Sequence, residues 1–464
     1  MNLKRIIVTS VIAATGMISL TGNAAIVGAD AARSAANQFL KQKAAHMLTA
    51  PSLNDIKLAH AEASSVEGNA FYVFNIKGGG WIIIAGDDRA KQVLAYGDKG
   101  NISMNDLPGN MKDYLILYKN QIEEMQSYKG EVVPIKAPNR VNPVAPLTKS
   151  TWGQQEPMNR LCPMAGSDRT SVGCGPLAMA QIIYYWKYPT DIPALPSYPI
   201  SWSNYAPALE ATTIDYSLLL DKYTVYNPST GGVSLGTYTE DQANEVAKLA
   251  RYCGQACKTR YGNSGTASGS YSYDQRDAFK TFGFNENVQL IGIDPSYYCD
   301  NSNKYTEEEW KALMQAELEA GRPIAYHNVD FIDGHAWVID GVDADGKFHM
   351  NWGFYERFDG WFEFGAFTIY PNGEEWNFNG SANEMVINLY PYENYVIPGD
   401  DPQPQVKIGD VDGDGNINIS DVTALIDLLL TDGSMTAGAD VDGDGNLTIS
   451  DVTALIDMLL VGGN

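Results

Sequence analysis

The N-terminal quarter of the chain alternates apolar runs with polar turns in a pattern that predicts two helices and two strands. Apolar residues dominate Phe71–Ile76 (FYVFNI) and Trp81–Ala85 (WIIIA), and the glycines at 78–80 fit a turn between them, so we predict a strand pair. Ala31–Leu48 has a helical composition, and Met111–Tyr128 has the spacing of an amphipathic helix. This region is therefore expected to form a unit of mixed helix and strand.

The pattern changes after residues 131–149, which hold four prolines, three basic residues and no periodicity, as expected of an exposed, cleavable connector. Beyond it, one helix is predicted to begin near Cys174, another to cover Glu307–Glu319, and Glu245–Tyr261 has a helical start. Short strands are predicted from Pro323 onward, in YHNV, HAWVIDGVD, KFHMNWG and GWFEF. Helices followed by an antiparallel sheet indicate an α+β fold.

The C-terminal end combines a linker with a repeat. Residues 396–408 are proline-rich and are expected to be extended. DVDGDGNINISDVTALIDLLL at Asp410 then recurs 30 residues later as DVDGDGNLTISDVTALIDMLL at Asp440, and each copy ends in an apolar helical face. We predict two loop–helix units.

Charge excludes nucleic acid as a partner, because 56 acidic against 32 basic residues leave a net charge of -24 that repels phosphate. From Asp410 onward there are eleven aspartates and no Lys, Arg or Glu, which indicates a divalent cation. At the other end, Lys4 and Arg5 precede the apolar run Ile6–Leu20, which is short for a membrane anchor and predicts a signal peptide cleaved near Ala24. No later segment is long and apolar enough to cross a bilayer, so we expect a secreted or surface-associated protein.

The aspartates of both repeats follow the spacing of a calcium loop, which needs oxygen ligands at positions 1, 3, 5, 7 and 12 and a glycine at 6. The matching residues are Asp410, Asp412, Asp414, Gly415, Asn416 and Asp421 in the first repeat, and Asp440, Asp442, Asp444, Gly445, Asn446 and Asp451 in the second. Neither loop has a convincing helix before it, which departs from an EF-hand. The repeat resembles the dockerin modules that bind cohesin domains; alternatively, it only stabilises the C-terminus.

Cys174 is the candidate nucleophile. It lies between glycines just before an apolar helical run, where the helix dipole and unpaired N–H groups are expected to lower its pKa and favour the thiolate. The alternative is a small buried apolar side chain. The chain has only five cysteines, and this odd, sparse set is not a disulfide framework for an exported chain of this size.

A cysteine nucleophile needs a base. Three histidines follow the connector, and His335 is our first choice because it opens a predicted strand; His327 and His349 are expected to pack within the sheet. Asn351 could orient the imidazole, with Trp352 shielding the pair from water. The side chain of Gln154 and the N–H of Cys174 could form an oxyanion hole.

Four motifs together resemble the streptopain-like, papain-fold cysteine proteases: WGQQEPMN at 152–159, VGCGPLAMAQ at 172–181, GHAWVIDGVD at 334–343 and HMNWG at 349–353. FYVFNIKGGGWIIIAGDDRA at 71–90 is similar to the inhibitory pro-segment of that family.

The resemblance implies a papain-like fold and a secreted endopeptidase made as a zymogen. It makes Cys174 the nucleophile, His335 the base and Gln154 an oxyanion donor, with Asn351 and Trp352 in support, and it implies a preference for an apolar side chain two residues before the cut. The resemblance also suggests that the pro-segment perturbs the histidine near Asn75.

The chain departs from the family pattern after the cysteine and after NWG. Phe354 to Arg357 replace the usual Gly-Trp-Gly-Gly, so the shape of the cleft is open. An amidase, a transpeptidase or a non-catalytic scaffold-binding protein therefore remain alternatives.

These inferences divide the chain into five regions: a signal peptide at 1–24, a pro-segment at 25–140, a catalytic domain at 141–395, a linker at 396–408 and a small all-α C-terminal module at 409–464. The expected partners are peptide or protein substrates, the protein's own pro-segment as inhibitor and a cohesin-like scaffold. Two structural calcium ions are the only cofactors expected.

Overall fold

The architecture comes from a computed structural model of the chain. It describes residues 26–43, 51–128, 132–134, 141–201, 204–227, 232–262, 268–329, 335–366, 369–371, 382–392, 395–397, 408–412, 416–430, 438–442 and 447–461. The predicted signal peptide and most of the linker lie outside these residues.

The pro-segment contains both kinds of element that its pattern predicts. Its elements are α1 (Ala29–Lys43), a 3-10 turn (Leu53–Asp55), β1 (Ile56–Ala63), β2 (Asn69–Ile76), β3 (Trp81–Ala85), β4 (Val93–Gly97), α2 (Gly109–Ser127) and β5 (Val132–Pro134). The predicted strand pair is confirmed as β2 and β3, which pair antiparallel. All five residues of β3 are buried, because the strand is covered on both faces.

The predicted catalytic domain places its described helices mainly before its large sheet. The helices are α3 (Cys174–Trp186), α4 (Glu240–Ala256), α5 (Ser272–Thr281) and α6 (Glu307–Glu319), with a 3-10 turn at Tyr216–Leu218. The strands are β6 (Met164–Ala165), β7 (Asp168–Arg169), β8 (Asp191–Ile192), β9 (Tyr198–Ser201), β10 (Asn204–Ala206), β11 (Thr212–Thr213), β12 (Thr224–Asn227), β13 (Gly232–Leu235), β14 (Gln289–Gly292), β15 (Ile324–Val329), β16 (His335–Val342), β17 (Phe348–Asn351), β18 (Gly360–Phe362), β19 (Ile369–Pro371) and β20 (Ala382–Ile387).

Helix α6 has the predicted limits, whereas α4 begins five residues before the predicted start. The side chain of Thr239 accepts from the Gln242 N–H and Gln242 reaches back to the Thr239 N–H, so a capping box fixes the start of α4 at Glu240. Helix α4 ends at Ala256, so only the first part of Glu245–Tyr261 is helical, as predicted.

The main sheet crosses the boundary between pro-segment and catalytic domain. Among the described residues its ten strands run in the order β1-β2-β3-β4-β18-β17-β16-β15-β20-β14. Strand β4 pairs antiparallel with β18, Tyr96 opposite Trp361 and Ala95 opposite Phe362. The two regions therefore share backbone hydrogen bonds as well as side-chain contacts.

One apolar cluster also spans both regions. Helix α2 packs its buried face against the sheet, and the Tyr114 ring lies 5.9 Å from Trp352, 5.9 Å from Phe362 and 6.1 Å from Trp337. A second cluster lies within the catalytic domain between α3, α4, α5 and the other face of the sheet. The sheet thus separates the pro-segment helix α2 from the predicted nucleophile helix α3.

The described part of the C-terminal module contains α7 (Ile419–Leu430) and α8 (Ile449–Val461), which contact each other through a cluster of their own. None of the helices in the described ranges has the length and apolar character required to cross a membrane.

Candidate active site and calcium loops

Cys174 is the first residue of α3, as the sequence predicts. Gly173 before it has φ +97°, a conformation that favours glycine, and a Cβ there would approach the Ser268 carbonyl oxygen at 3.2 Å. Pro176 stands in the first helical turn, where a missing N–H costs nothing. The turn therefore presents a half-buried thiol at a helix N-terminus.

The pKa of Cys174 differs from the expectation. Burial raises it above the ordinary value for a thiol, although the backbone N–H groups of Ala336, Gly175 and Cys174 itself favour the thiolate. The helix start supplies the predicted donors, but the desolvation of the covered sulfur outweighs them. In this form of the protein the thiol is thus less acidic than the helix-dipole argument predicts.

His335 opens β16, and its neighbour Ala336 reaches the sulfur of Cys174 through its N–H. The imidazole is in contact with the pro-segment: Nε2 lies 3.3 Å from Oδ2 of Asp113. A Cβ on Gly109 would approach the same Nε2 at 2.7 Å, so the start of α2 fits closely over the ring. The pro-segment therefore engages the predicted base.

The residue that the resemblance suggested for this contact is not the one found. The side chain of Asn75 donates to the Ile102 carbonyl and accepts from the Ile102 N–H, so it braces a turn inside the pro-segment. Gly109 and Asp113 lie at His335 instead. Their position could not be read from the sequence, because it depends on how α2 docks on the sheet.

Asn351 and Trp352 are both buried beside β16. The Asn351 amide donates to the Ser150 carbonyl at 2.8 Å and accepts from the Gly353 N–H at 3.1 Å, so it stabilises the turn after β17. Its orientation of His335 stays a prediction. The Trp352 ring packs 4.9 Å from Trp337, which agrees with a shielding role.

Gln154 is held near the start of α3, because its carbonyl accepts from the N–H of Val172, two residues before Cys174. Tyr355 supports the same segment: its hydroxyl accepts from the Gln155 N–H at 3.1 Å, and its ring covers Gly153 so closely that a Cβ there would lie 2.2 Å from it. The bulky segment that departs from the family pattern thus packs against both neighbours of the predicted oxyanion donor Gln154.

The other two histidines lie within the sheet region, as expected, with His327 buried and His349 half-buried. His349 Nδ1 lies 2.6 Å from Oδ1 of Asp340; burial lowers the pKa of His349, but this carboxylate outweighs it and the net shift is upward. His327 Nε2 lies 2.6 Å from Oε1 of Gln275, a residue that the sequence did not single out.

The described aspartates of the C-terminal module fit a hard cation. One carboxylate oxygen from each of Asp410, Asp412 and Asp421 lies within 4.8 Å of the others, and Asp440, Asp442 and Asp451 form a second such group. Carboxylate oxygens are the ligands that calcium prefers. The predicted ligands Asp414, Asp444 and Asn446 lie outside the described residues, and Asn416 lies within them.

Asp421 shows how the first loop is built. It is fully buried, and its carboxylate accepts from the N–H groups of Val411, Asp412 and Asn418. Burial raises the pKa of Asp421, but these backbone donors outweigh it and the net pKa is lowered. A buried, ionised carboxylate at position 12 suits a divalent cation.

Three parts of the chain match known families. Residues 152–362 match the Peptidase C10 family, residues 24–122 the Spi protease inhibitor and residues 408–460 the Dockerin type I domain. Together with the fold, these matches define a streptopain-like cysteine endopeptidase with an inhibitory pro-segment and a dockerin domain.

Individual relatives agree with this class. Streptopain of Streptococcus pyogenes is 28% identical over 377 residues, which cover 76% of this chain and 90% of that protein. The thiol protease/hemagglutinin PrtT of Porphyromonas gingivalis is 27% identical over 365 residues, or 75% of this chain and 40% of that protein. A fragment of prointerpain A of Prevotella intermedia matches with a TM-score of 0.56 and 27% identity, covering 72% of this chain and 98% of the fragment. The papain-like fold with a pro-segment is confirmed.

Proposed function

We propose that the protein is a secreted endopeptidase zymogen in which Cys174 is the nucleophile and His335 the base. One observation carries the assignment: α3 packs directly against β16, and the N–H of Ala336, next to His335, acts on the thiol of Cys174. The start of α3 and the start of β16 therefore meet at one point, as a thiol–imidazole pair requires. The boundaries 25–140 for the pro-segment and 141–395 for the catalytic domain are part of this proposal.

In the proposed mechanism, His335 takes the proton of Cys174, and the thiolate attacks the carbonyl carbon of the peptide. The C–N bond breaks as His335 returns the proton to the leaving amine, and water then hydrolyses the thioester to release the acid and the thiol. The Gln154 side chain and the Cys174 N–H stabilise the oxyanion. Asn351 orients the imidazole once the pro-segment has left, and Trp352 keeps water away from the pair.

The zymogen is inactive because the pro-segment engages the base. Oδ2 of Asp113 lies 3.3 Å from Nε2 of His335, and the close contact at Gly109 fixes the ring against α2. An imidazole held against α2 is not free to accept the proton of Cys174, and the raised pKa of that thiol favours its neutral form. Release of α2 therefore frees His335 and opens the cleft at the same time.

The C-terminal module is proposed to bind two calcium ions and to attach the enzyme to a cohesin-like scaffold outside the cell. Asp410, Asp412 and Asp421 would hold one ion, and Asp440, Asp442 and Asp451 the other. Calcium would neutralise the clustered carboxylates and order the loops; it takes no part in peptide hydrolysis.

The test is mass spectrometry of the full chain after incubation with calcium, reductant and a thiol-directed epoxide. We expect wild type to lose the pro-segment and carry the adduct on Cys174, and Cys174→Ala to do neither. Cys299→Ala is the matched control, because Cys299 is also a free, half-buried thiol, and it should behave as wild type. An adduct on another cysteine, or pro-segment removal by Cys174→Ala alone, would refute the assignment.

A further inference from the structure

We propose that Gln275 and His327 are positioning residues that hold the start of the nucleophile helix against the sheet that carries the base. This inference rests on the proposed function. Gln275 lies on α5 and is fully buried, and its Nε2 donates to the carbonyl of Gly175 at 2.7 Å. Its Oε1 lies 2.6 Å from Nε2 of His327 on β15. One amide therefore bridges the residue after Cys174 to the sheet.

Hydrogen-bond chemistry fixes the direction of this bridge. The Gly175 carbonyl can only accept, so the Gln275 amide must turn its NH₂ group toward it and its oxygen toward β15. His327 must then donate from Nε2, which requires a proton on that nitrogen. Burial lowers the pKa of His327 to about 4, so the ring is neutral near pH 7 and holds the Nε2–H tautomer.

The far side of the bridge is anchored by Glu384. This buried residue lies opposite His327 in the register of β15 and β20, and it is the charged group whose field acts on His327. Its carboxylate accepts from the hydroxyls of Ser272, in the first turn of α5, and Ser296. Helix α5 is thus tied to the sheet at Ser272 and Gln275, one turn apart, which restricts the movement of the amide.

The register of the sheet connects this bridge to the base. His327 pairs with Ala336, whose N–H reaches Cys174, and Asn328 pairs with His335. A shift of β15 relative to α3 would move the imidazole and the sulfur apart, and an error of about 1 Å in such a pair costs about 100-fold in rate. The bridge therefore sets the separation of two groups that it does not touch.

The test compares variants of the full chain after the pro-segment has been removed by immobilised wild-type enzyme. We expect Gln275→Leu to lower kcat 10- to 100-fold while KM changes less than threefold. The rate at which iodoacetamide alkylates Cys174 should fall in parallel, and its pH profile should shift upward. His327→Leu should act similarly, whereas His327→Gln should recover most of the activity, because a glutamine amide can donate to Oε1 of Gln275 without carrying charge.

Gln255→Leu is the matched control. Gln255 is also a buried glutamine, and its amide donates to the carbonyls of Pro196 and Pro207 away from α3. It should lower the melting temperature about as much as Gln275→Leu but leave the alkylation profile unchanged. Equal losses of activity in both variants, or no rescue by His327→Gln, would overturn the positioning role. Wild type without activity, or Cys174→Ala with activity, would instead refute the proposed function.

Discussion

The pro-segment and the C-terminal module flank the catalytic domain, but they are joined to the rest of the protein in different ways. The pro-segment shares the main sheet through β4 and β18, and it shares one apolar cluster through Tyr114 and its neighbours. The C-terminal module has a separate cluster, whose buried members are Val411, Val422, Leu425, Ala439, Val452 and Leu455. One flank is part of the protease core and the other is a unit of its own.

This difference in packing indicates how the pro-segment and the C-terminal module are each regulated. A core this small stabilises a domain poorly on its own, so we expect bound calcium to substitute for part of the missing apolar burial. The pro-segment needs no ligand, because its binding energy comes from surface that the protease must expose when the pro-segment leaves. Calcium should therefore control one flank, and proteolysis the other.

The largest expected effect is that of calcium removal on the C-terminal module. Excess EDTA should unfold the module and leave the catalytic domain folded, because the clustered aspartates repel each other without the ion. At calcium concentrations about 1,000-fold above Kd the stabilisation lost is about 4 kcal/mol. Calorimetry should show one calcium-dependent transition and one that EDTA does not move.

Two variants on α7 sharpen this test. Asp421→Ala should reproduce the effect of EDTA, whereas Asp427→Ala, an exposed aspartate on the same helix, should not. A single transition that moves as a whole with calcium would show that the two parts are not independent, and the comparison would fail.

The next largest effect is expected at the contact between α2 and His335. Gly109→Ala should weaken inhibition by the pro-segment about 10- to 100-fold, because its methyl group meets Nε2 of His335 at 2.7 Å. Alanine is the better helix former by about 1 kcal/mol, so lost helicity cannot explain a loss of latency. The weakening of inhibition would be measured as a faster removal of the pro-segment and as a higher Ki of the isolated pro-segment.

Gly28→Ala is the matched control, since a Cβ at Gly28 meets nothing within 4 Å. Asp113→Asn should weaken inhibition by less than Gly109→Ala and by more than Gly28→Ala, because it keeps the shape of the side chain and removes its charge. Unchanged latency in Gly109→Ala would mean that the contact at His335 contributes little to inhibition.

A smaller effect is expected at the ion pairs between the two regions. Lys91 of the pro-segment lies 2.7 Å from Oε2 of Glu363, whose other oxygen lies 2.9 Å from Lys347 of the catalytic domain. Lys91→Met keeps the length of the side chain and should raise the Kd of the pro-segment about tenfold, or about 1.4 kcal/mol. Titration calorimetry measures this Kd. Lys41→Met, which replaces an exposed lysine of α1, is the control, and equal Kd values for the two variants would contradict the prediction.

The smallest effect is a pH dependence of the same contact. Burial raises the pKa of Glu363, but Lys91 and Lys347 outweigh it, so its net pKa is lowered when the pro-segment is bound. A lowered pKa contributes binding energy above the ordinary carboxyl range, and this contribution is lost as pH falls through the lowered value. The Kd should rise two- to tenfold on acidification below about pH 4.5, and less in Glu363→Gln; an identical rise in both would exclude Glu363 as its source.

Local patterns were enough to predict several elements. The start of α6 follows from a capping box between Thr306 and Glu309, and the start of α3 at Cys174 follows from the glycine before it and the apolar run after it. The calcium spacing is local in the same sense, because all its ligands lie within twelve residues. The structure of motifs of this kind is determined by residues that are close together in the sequence.

Contacts between distant segments could not be predicted. The pairing of β4 with β18 joins residues about 265 positions apart, and no local pattern records it. The bridge from Gln275 to Gly175 and the contact of Asp113 with His335 likewise depend on how helices dock. The direction of the Cys174 pKa shift was wrong because the helix start is visible in the sequence and the covering of the sulfur is not.

The pairing of β4 with β18 has a consequence for the activated enzyme. When the pro-segment departs, β18 loses its pairing at Trp361 and Phe362 and becomes an exposed edge strand with two aromatic side chains. Activation thus exposes a strand edge that is paired with β4 in the precursor and that can form backbone hydrogen bonds with another molecule. At high concentration the mature enzyme should self-associate through this strand edge, and the precursor should not.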